Sequence, residues 1–383
     1  MKIIHVIDYY QPQRGYQETF LVKEHVSLGH EVYVITSDRY APNKPSSGRK
    51  IVGSGSFKEE GATICRLPVR LEISSLIWLV KLEQKIVELD PDIVIVHGVF
   101  RMTALRIARL KKRYGHFKLI FDEHTIPVAS RSIFRTLYPI FNLFFSNTIR
   151  TVSDVIVATS DESKIFLNKK GGIPLSEIKV IPLGADQVLF HRDIPARQTI
   201  RNELGINSEL LFLFTGRIVP IKDLNLLIEA GAKMASKYNN FKIMLLGNGD
   251  KSYLEELKNS VKSQKLENYF IFHNVVPNNE LYKYYSAADV AVWPTMVTIS
   301  TLEAMACSLP VIVSDVPAAV ERVRFDNGLV VKNANPQELF EHMEFLLNNP
   351  LTRKEMGEKS RRAIDEELNW KTISKEFLSI SDK

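Results

Sequence analysis

Cysteine is scarce: Cys65 and Cys307 are the two in 383 residues. Two thiols so far apart form neither a disulfide framework nor a cysteine-based metal site, which fits a reducing compartment. Long apolar runs are missing too, since no stretch reaches the ~18–20 uninterrupted apolar residues of a membrane-spanning helix. Ile133–Ile149 comes nearest and is broken by Arg135, Pro139 and Asn142. The opening MKIIHVIDYY has no basic region followed by an apolar block, so it reads as a strand and not as a signal peptide. No repeat or low-complexity tract is present. The expectation is a cytoplasmic-type chain of ordinary globular composition, long enough for two domains with separate cores.

Charge of one sign is not dominant, but it is unevenly placed. Residues 1–190 hold 26 Lys+Arg against 19 Asp+Glu, a net +7, and residues 191–383 hold 24 against 25. A basic first half suggests an anionic partner, with plain solubility as the alternative. Arg106, Arg109 and Arg113 recur at helical spacing beside Lys112. With the aromatic segment Ile133–Ile149 they suggest contact with an anionic membrane surface at its inner face. A solvated helix face and a core helix are the alternatives. Nucleic acid is not an expected partner, because no recognised module is present and the basic residues are not interleaved with stacking aromatics.

Short β-branched runs alternate with helical patterns, which predicts doubly wound parallel sheets. The runs of the first half are Lys2–Ile7, Glu31–Thr36, Ile93–His97, Lys118–Phe121, Val155–Ala158 and Lys179–Ile181. Helices are expected over Glu18–Leu28, Leu76–Leu89 and Thr103–Tyr114, and a loop or flap over Pro42–Gly61. The turn-rich stretch Pro182–Gln198 reads as an interdomain linker. Strands then resume at Leu211–Thr215, Phe241–Leu246, Tyr269–Phe272, Val290–Trp293 and Val311–Ser314. The expected architecture is two Rossmann-like domains, 1–190 and 191–365, facing a central cleft. One long helical pattern runs from Arg353 to about Phe377. Its end, about 366–383, either closes the second domain or packs back on the first.

The chemistry gathers at Trp293–Asp315. Thr298, Ser300 and Thr301 precede a helix carrying Glu303. Hydroxyl residues there cap the first amides, and the amides at a helix start attract phosphate. A diphosphate and a ribose would satisfy the amides and the carboxylate together; a simple capped helix is the alternative reading. Arg217 and Lys222 follow the strand ending in Thr215-Gly216 and suit a diphosphate clamp. Gly15 lies where the first strand meets a helix, and Leu245–Asp250 carries two glycines; both allow close backbone approach, and both signals are weak. His97 and His124 end strands, where a histidine can donate to a sugar or shuttle a proton, or serve structure alone. Asp122, Glu123 and His124 are adjacent, but no further ligands lie at metal-site spacing. Asp90-Pro91-Asp92 is an acidic pair at a turn and carries no function.

Taken in order, these stretches resemble the retaining glycosyltransferases of family 4, a GT-B group that uses nucleotide-sugar donors. The matching stretches are Gly15, Gly29–Thr36, Pro91–Gly98, Lys179–Phe190, Phe214–Ala230, Leu245–Asp250 and Leu302–Asp315. The resemblance implies that the second domain binds the nucleotide. Gly216, Arg217 and Lys222 would meet the diphosphate, with the amides around Thr298, Ser300 and Thr301. Glu303 would hold the ribose hydroxyls, while Asn248, His273, Asn274 and Val275 would lie near the base. Gly15 and His124 would come from the acceptor domain, His124 close to the donor sugar. It further implies retention by same-face attack, with no metal and no other cofactor, because Arg217, Lys222 and the amides replace the metal's charge.

The implied donor is a UDP-sugar carrying a hexose or N-acetylhexosamine. The implied acceptor is a glycan or lipid-linked acceptor in cell-surface polysaccharide synthesis. One departure matters: the family places a second glutamate eight residues before the one matched by Glu303, and here that position is Thr295. Hydroxyls of Thr298 or Ser300 are the expected substitutes. Gly15-Tyr16 replaces two glycines, Leu183 an Asn and Ser308 a helix-ending Gly. The competing readings are a GT-B epimerase or phosphorylase, and a non-catalytic subunit of a two-part transferase.

Overall fold

The computed structural model describes residues 1–11, 16–41, 51–73, 76–124 and 146–380. The chain divides into two compact units, Met1–Leu183 with Trp370–Lys383, and Gly184–Asn369. The boundary falls at Leu183–Gly184 and not at residue 190. The stretch read as a linker also ends in structure. Asp193 caps a helix, Ile194–Glu203, by accepting from the Ala196 amide at 2.9 Å, and Pro195 fits its first turn.

The first unit contains β1 (Lys2–Ile7), β2 (Glu31–Ser37), β3 (Gly55–Glu59), β4 (Ala62–Leu67), β5 (Val69–Ile73), β6 (Leu76–Leu79), β7 (Ile93–His97), β8 (Lys118–Glu123), β9 (Val155–Ala158) and β10 (Ile178–Val180). Its main sheet runs β10-β9-β8-β7-β1-β2-β4-β3, parallel except where β3 meets β4. The central strands are apolar on both faces because helices cover both, so they read as continuous runs. His5 interrupts one of these runs, a fully buried imidazole in the middle of β1. Strand order reverses between β1 and β7, which makes their carboxyl ends the natural ligand position in this unit.

Two local expectations fail here. Leu76–Leu89 is not one helix: Leu76–Leu79 pairs with β5 as an antiparallel ribbon, and the helix starts at Leu82. Lys81 breaks the pattern with a left-handed backbone at φ 58°. Of the flap Pro42–Gly61, residues 42–50 lie outside the described residues, and the remainder contains β3.

The second unit contains β11 (Leu210–Thr215), β12 (Phe241–Leu246), β13 (Phe270–His273), β14 (Val290–Trp293), β15 (Val311–Ser314) and β16 (Gly328–Val331). They form one parallel sheet, β13-β12-β11-β14-β15-β16, the doubly wound order 3-2-1-4-5-6. Its switch point lies between β11 and β14. The long terminal pattern resolves into two helices, Pro350–Glu366 and Trp370–Ser379. The chain breaks between them, where Leu368 and Asn369 pair with Ala185. Trp370 stacks on Phe20 of the first unit at 5.2 Å between ring centroids. No helix among the described residues is long and apolar enough to cross a membrane.

Candidate functional site

Glu303 anchors the switch point of the second unit. It lies on the helix Ile299–Ala306, beyond the first turn, so the helix dipole does not account for its position. The carboxylate is buried and accepts from the Tyr285 hydroxyl at 3.0 Å. The same hydroxyl lies 2.9 Å from Thr215 Oγ1 at the end of β11. Trp293 Nε1 donates to the Thr215 carbonyl at 3.0 Å, which closes the network against β14. Burial raises the Glu303 carboxyl to about 7, with the Tyr285 bond opposing. It is a desolvated acceptor, suited to hydroxyl donors from a ligand.

Lys222 is buried beside the loop that precedes this helix. Its Nζ donates to Met296 O at 2.9 Å, and burial together with the Arg322 charge lowers it to about 8. Arg322 donates to Thr298 O and is itself pushed down to about 10 by burial, with the Glu321 charge opposing. Two desolvated cations thus hold carbonyls of one loop. Buried charges of like sign are costly unless an anion joins them. No sequence spacing ties Arg322 to this place; it arrives through the turn Glu321–Val323, before β16.

The capping expectation needs correction. Thr298 occupies the cap position, but its hydroxyl is bonded to Ser300 Oγ at 3.0 Å and no side chain caps the helix. Thr301 is fully buried. Thr298 and Ser300 are bonded to each other and stay partly exposed beside the helix start. Thr295 stands at the position of the missing acid and donates to the Lys222 carbonyl at 2.8 Å. It braces the backbone of the cation.

Gly247 and Gly249 serve close approach of backbone to backbone, while Gly216 takes a left-handed φ of +141°. A Cβ on Gly247, at φ +154°, would meet Gly216 O at 1.9 Å, and one on Gly249 would meet Ile218 O at 2.1 Å. The two loops pair through Ile218 N to Asn248 O and Asp250 N to Ile218 O, both at 2.9 Å. Arg217 and Asn248 are exposed on these joined loops. His273 ends the adjoining β13, packs on the Tyr284 ring at 4.9 Å between centroids and is followed by the exposed Asn274 and Val275. Gly15 lies outside the described residues.

In the first unit, His124 faces a pocket of about 200 Å³ shared with Asp8, Glu18, His97, Arg101 and Glu123. Its Nε2 lies 2.7 Å from Asp122 Oδ2, and His97 Nδ1 lies 3.0 Å from the same oxygen. Burial opposes charge on both partners. The attraction between them wins, holding Asp122 well below the usual carboxylate range and raising His124 to about 9. Donor atoms of His97, Asp122 and His124 converge within 4.8 Å, a trio that sequence spacing did not reveal. The facing ring nitrogens are committed to one carboxylate oxygen and His124 is held protonated.

Two family profiles match in tandem, "Glycosyltransferase Family 4" over residues 19–188 and "Glycosyl transferases group 1" over residues 196–363. The chain belongs to the GT-B glycosyltransferases of the family 4 type. One relative in this family is an uncharacterised glycosyltransferase of Methanocaldococcus jannaschii, 29% identical over 54% of each chain, so the match spans about half that relative's length. Another is the alpha-monoglucosyldiacylglycerol synthase of Acholeplasma laidlawii, 27% identical over 93% of this chain and 91% of its own. Among solved structures, Anabaena HepE in complex with UDP superposes with a TM-score of 0.77 at 18% identity, covering 99% of each chain.

Family membership does not rescue every basic residue suggested for membrane contact. Arg106 is buried: its guanidinium forks onto Glu83, donates to Leu79 O at 2.6 Å and lies 4.4 Å over the Trp78 ring. It holds the helix Met102–Tyr114 to β6. Arg109, Lys112 and Arg113 remain exposed. Arg109 and Arg113 border a groove of about 620 Å³ with Trp78 and Tyr114. Of the aromatic segment Ile133–Ile149, residues 133–145 lie outside the described residues.

Proposed function

We propose that this GT-B protein is a metal-independent, retaining glycosyltransferase. It moves a hexose or N-acetylhexosamine from a UDP-sugar to a glycan or lipid-linked acceptor in cell-surface polysaccharide synthesis. The observation that carries the reading is the switch point of the second unit, where a desolvated carboxylate, Glu303, lies on the helix that follows the loop whose carbonyls Lys222 and Arg322 hold. A nucleoside diphosphate offers the complementary groups, hydroxyls to Glu303 and phosphates to Lys222, Arg217 and the uncapped helix start. Cations fixed in a low-dielectric setting stabilise the charge that develops as a diphosphate departs. His124, protonated and open to its pocket, is the residue assigned to the donor sugar. Anabaena HepE, crystallised with UDP, supports the choice of base. The protein would work in the cytoplasm, at the inner face of an anionic membrane, through Arg109, Lys112 and Arg113.

A thermal-shift panel of UDP, GDP, ADP and their sugars tests this. A ligand at 100 times its Kd adds about 2.7 kcal/mol to stability, a readable shift. UDP-sugars are expected to stabilise the protein most. Lys222→Ala and Glu303→Ala are expected to lose that shift and all transfer while remaining folded. Absence of any nucleotide effect would point to a non-catalytic subunit. Isomerisation of the donor alone would point to an epimerase.

A further inference from the structure

Four histidines and an aspartate form a continuous line inside the first unit. His25 Nδ1 lies 3.0 Å from His5 Nε2, and His5 Nδ1 lies 3.0 Å from His97 Nε2. His97 Nδ1 and His124 Nε2 then share Asp122 Oδ2. Sheet register builds the line. His97 pairs with Asp122 across β7 and β8, and His5 sits two residues back on the adjoining β1, facing the same side. The helix Gln17–Ser27 covers that side, supplying His25 and also Gln17, whose Nε2 donates to Asp122 Oδ2 at 3.3 Å. His5, His25 and Asp122 are all completely buried.

One arrangement of protons satisfies all four bonds when the inner rings are neutral. The carboxylate only accepts, so His97 carries its proton on Nδ1 and presents a bare Nε2 to His5. His5 must then donate from Nδ1, and His25 must donate from Nδ1 to His5 Nε2. Burial favours neutral rings, lowering His5 well below its ordinary value and, against a Ser374 backbone bond that favours charge, His25 to about 3. A free neutral imidazole has no such enforced pattern; here the line imposes it from the core outward.

We propose that His97, backed by His5 and His25, is a positioning residue for His124. It fixes the Asp122 carboxylate so that His124 commits Nε2–H inward and presents its other edge to the pocket. Without His97 the carboxylate would keep only the longer Gln17 bond at 3.3 Å besides His124 itself, and as it turns about its bond the imidazole it orients turns with it. The groups around the open edge are Asp8 from the end of β1, Glu18 from the covering helix, Arg101, and Glu123. This inference rests on the proposed transfer reaction for its functional meaning, but not for its first test.

The first measurement is made on the full chain labelled with ¹⁵N-histidine, without substrate. Imidazole nitrogen shifts near pH 7 should show His5 and His25 neutral with the proton on Nδ1, and His97 with a proton on Nδ1, each assigned by its own His→Gln variant. Nε2–H rings or a charged ring at His5 would overturn the line. The second measurement is transfer with the donor that gives the largest thermal shift. His97→Phe removes both bonds and should lower kcat at least tenfold with little change in nucleotide affinity. His97→Gln, which can still donate and accept, should stay within threefold of the parent. If His97→Phe is fully active while His124→Ala is dead, the positioning role fails and the transferase reading stands. If His124→Ala is fully active, the assignment of His124 fails with it.

Discussion

Glu303 pays a folding penalty in order to be a good acceptor, and its pH dependence exposes that. An unfolded glutamate titrates near 4.5, whereas burial raises this one to about 7 in the fold. Between those values the folded chain holds more proton than the unfolded chain, so stability falls as pH rises through the window. Below it both states are protonated and the penalty vanishes. Above it the full cost is present, about 3 kcal/mol at 1.36 kcal/mol per unit. Glu303→Gln keeps the shape and removes the titration. Its unfolding midpoint should match the parent at pH 4.5 and exceed it increasingly up to pH 8. A gap that does not change with pH would contradict the assignment. Lys222 and Arg322 follow the same logic with opposite charge. A site that binds a charged ligand carries strain that substitution relieves at the expense of function.

At the scale of elements, the loops after β11 and β12 are joined by glycines that have no substitute. Gly247→Ala would drive a methyl group into the Gly216 carbonyl, which is backbone and cannot swing aside. We expect a loss above about 2 kcal/mol. Gly205→Ala, at φ +65° with nothing within 4 Å, pays only for its left-handed backbone. Circular-dichroism melts of the two variants compare them, and equal losses would refute the loop-joining role. These elements also show what a sequence carries. Phe241–Leu246, Val290–Trp293 and Val311–Ser314 were legible because both faces are buried and every residue but Lys242 and Ser314 is apolar. The exposed strands β3 and β5 were not, since Lys58 and Glu72 break their runs, and β6 was hidden because its apolar run Leu76–Leu79 continues into a helical pattern. Lys222 and Glu303 could be found from motif order. Arg322 and the His5–His25–His97 line could not, because register across the sheet brings them together and no spacing along the chain records that.

At the scale of the molecule, the first unit is made from both ends of the chain. Trp370, Ile373 and Phe377 line one stripe of the helix Trp370–Ser379 and are buried. They cover the helix Gln17–Ser27, with Trp370 on Phe20. Removing so large a buried ring costs about 3–5 kcal/mol. In a protein with two cores the loss need not be shared, because each unit opens with its own free energy. Hydrogen exchange of Trp370→Ala should therefore show faster exchange in Gln17–Ser27 and β1, with β11, β12 and β14 unchanged. A uniform rise across both units would mean that they unfold as one body. Faster exchange confined to the second unit would place the terminal helix wrongly. Because Gln17 and His25 ride on the covered helix, the same variant should also disturb the Nδ1–H pattern of the histidine line. The last turns of the chain then act on the pocket of His124 through the packing of one helix.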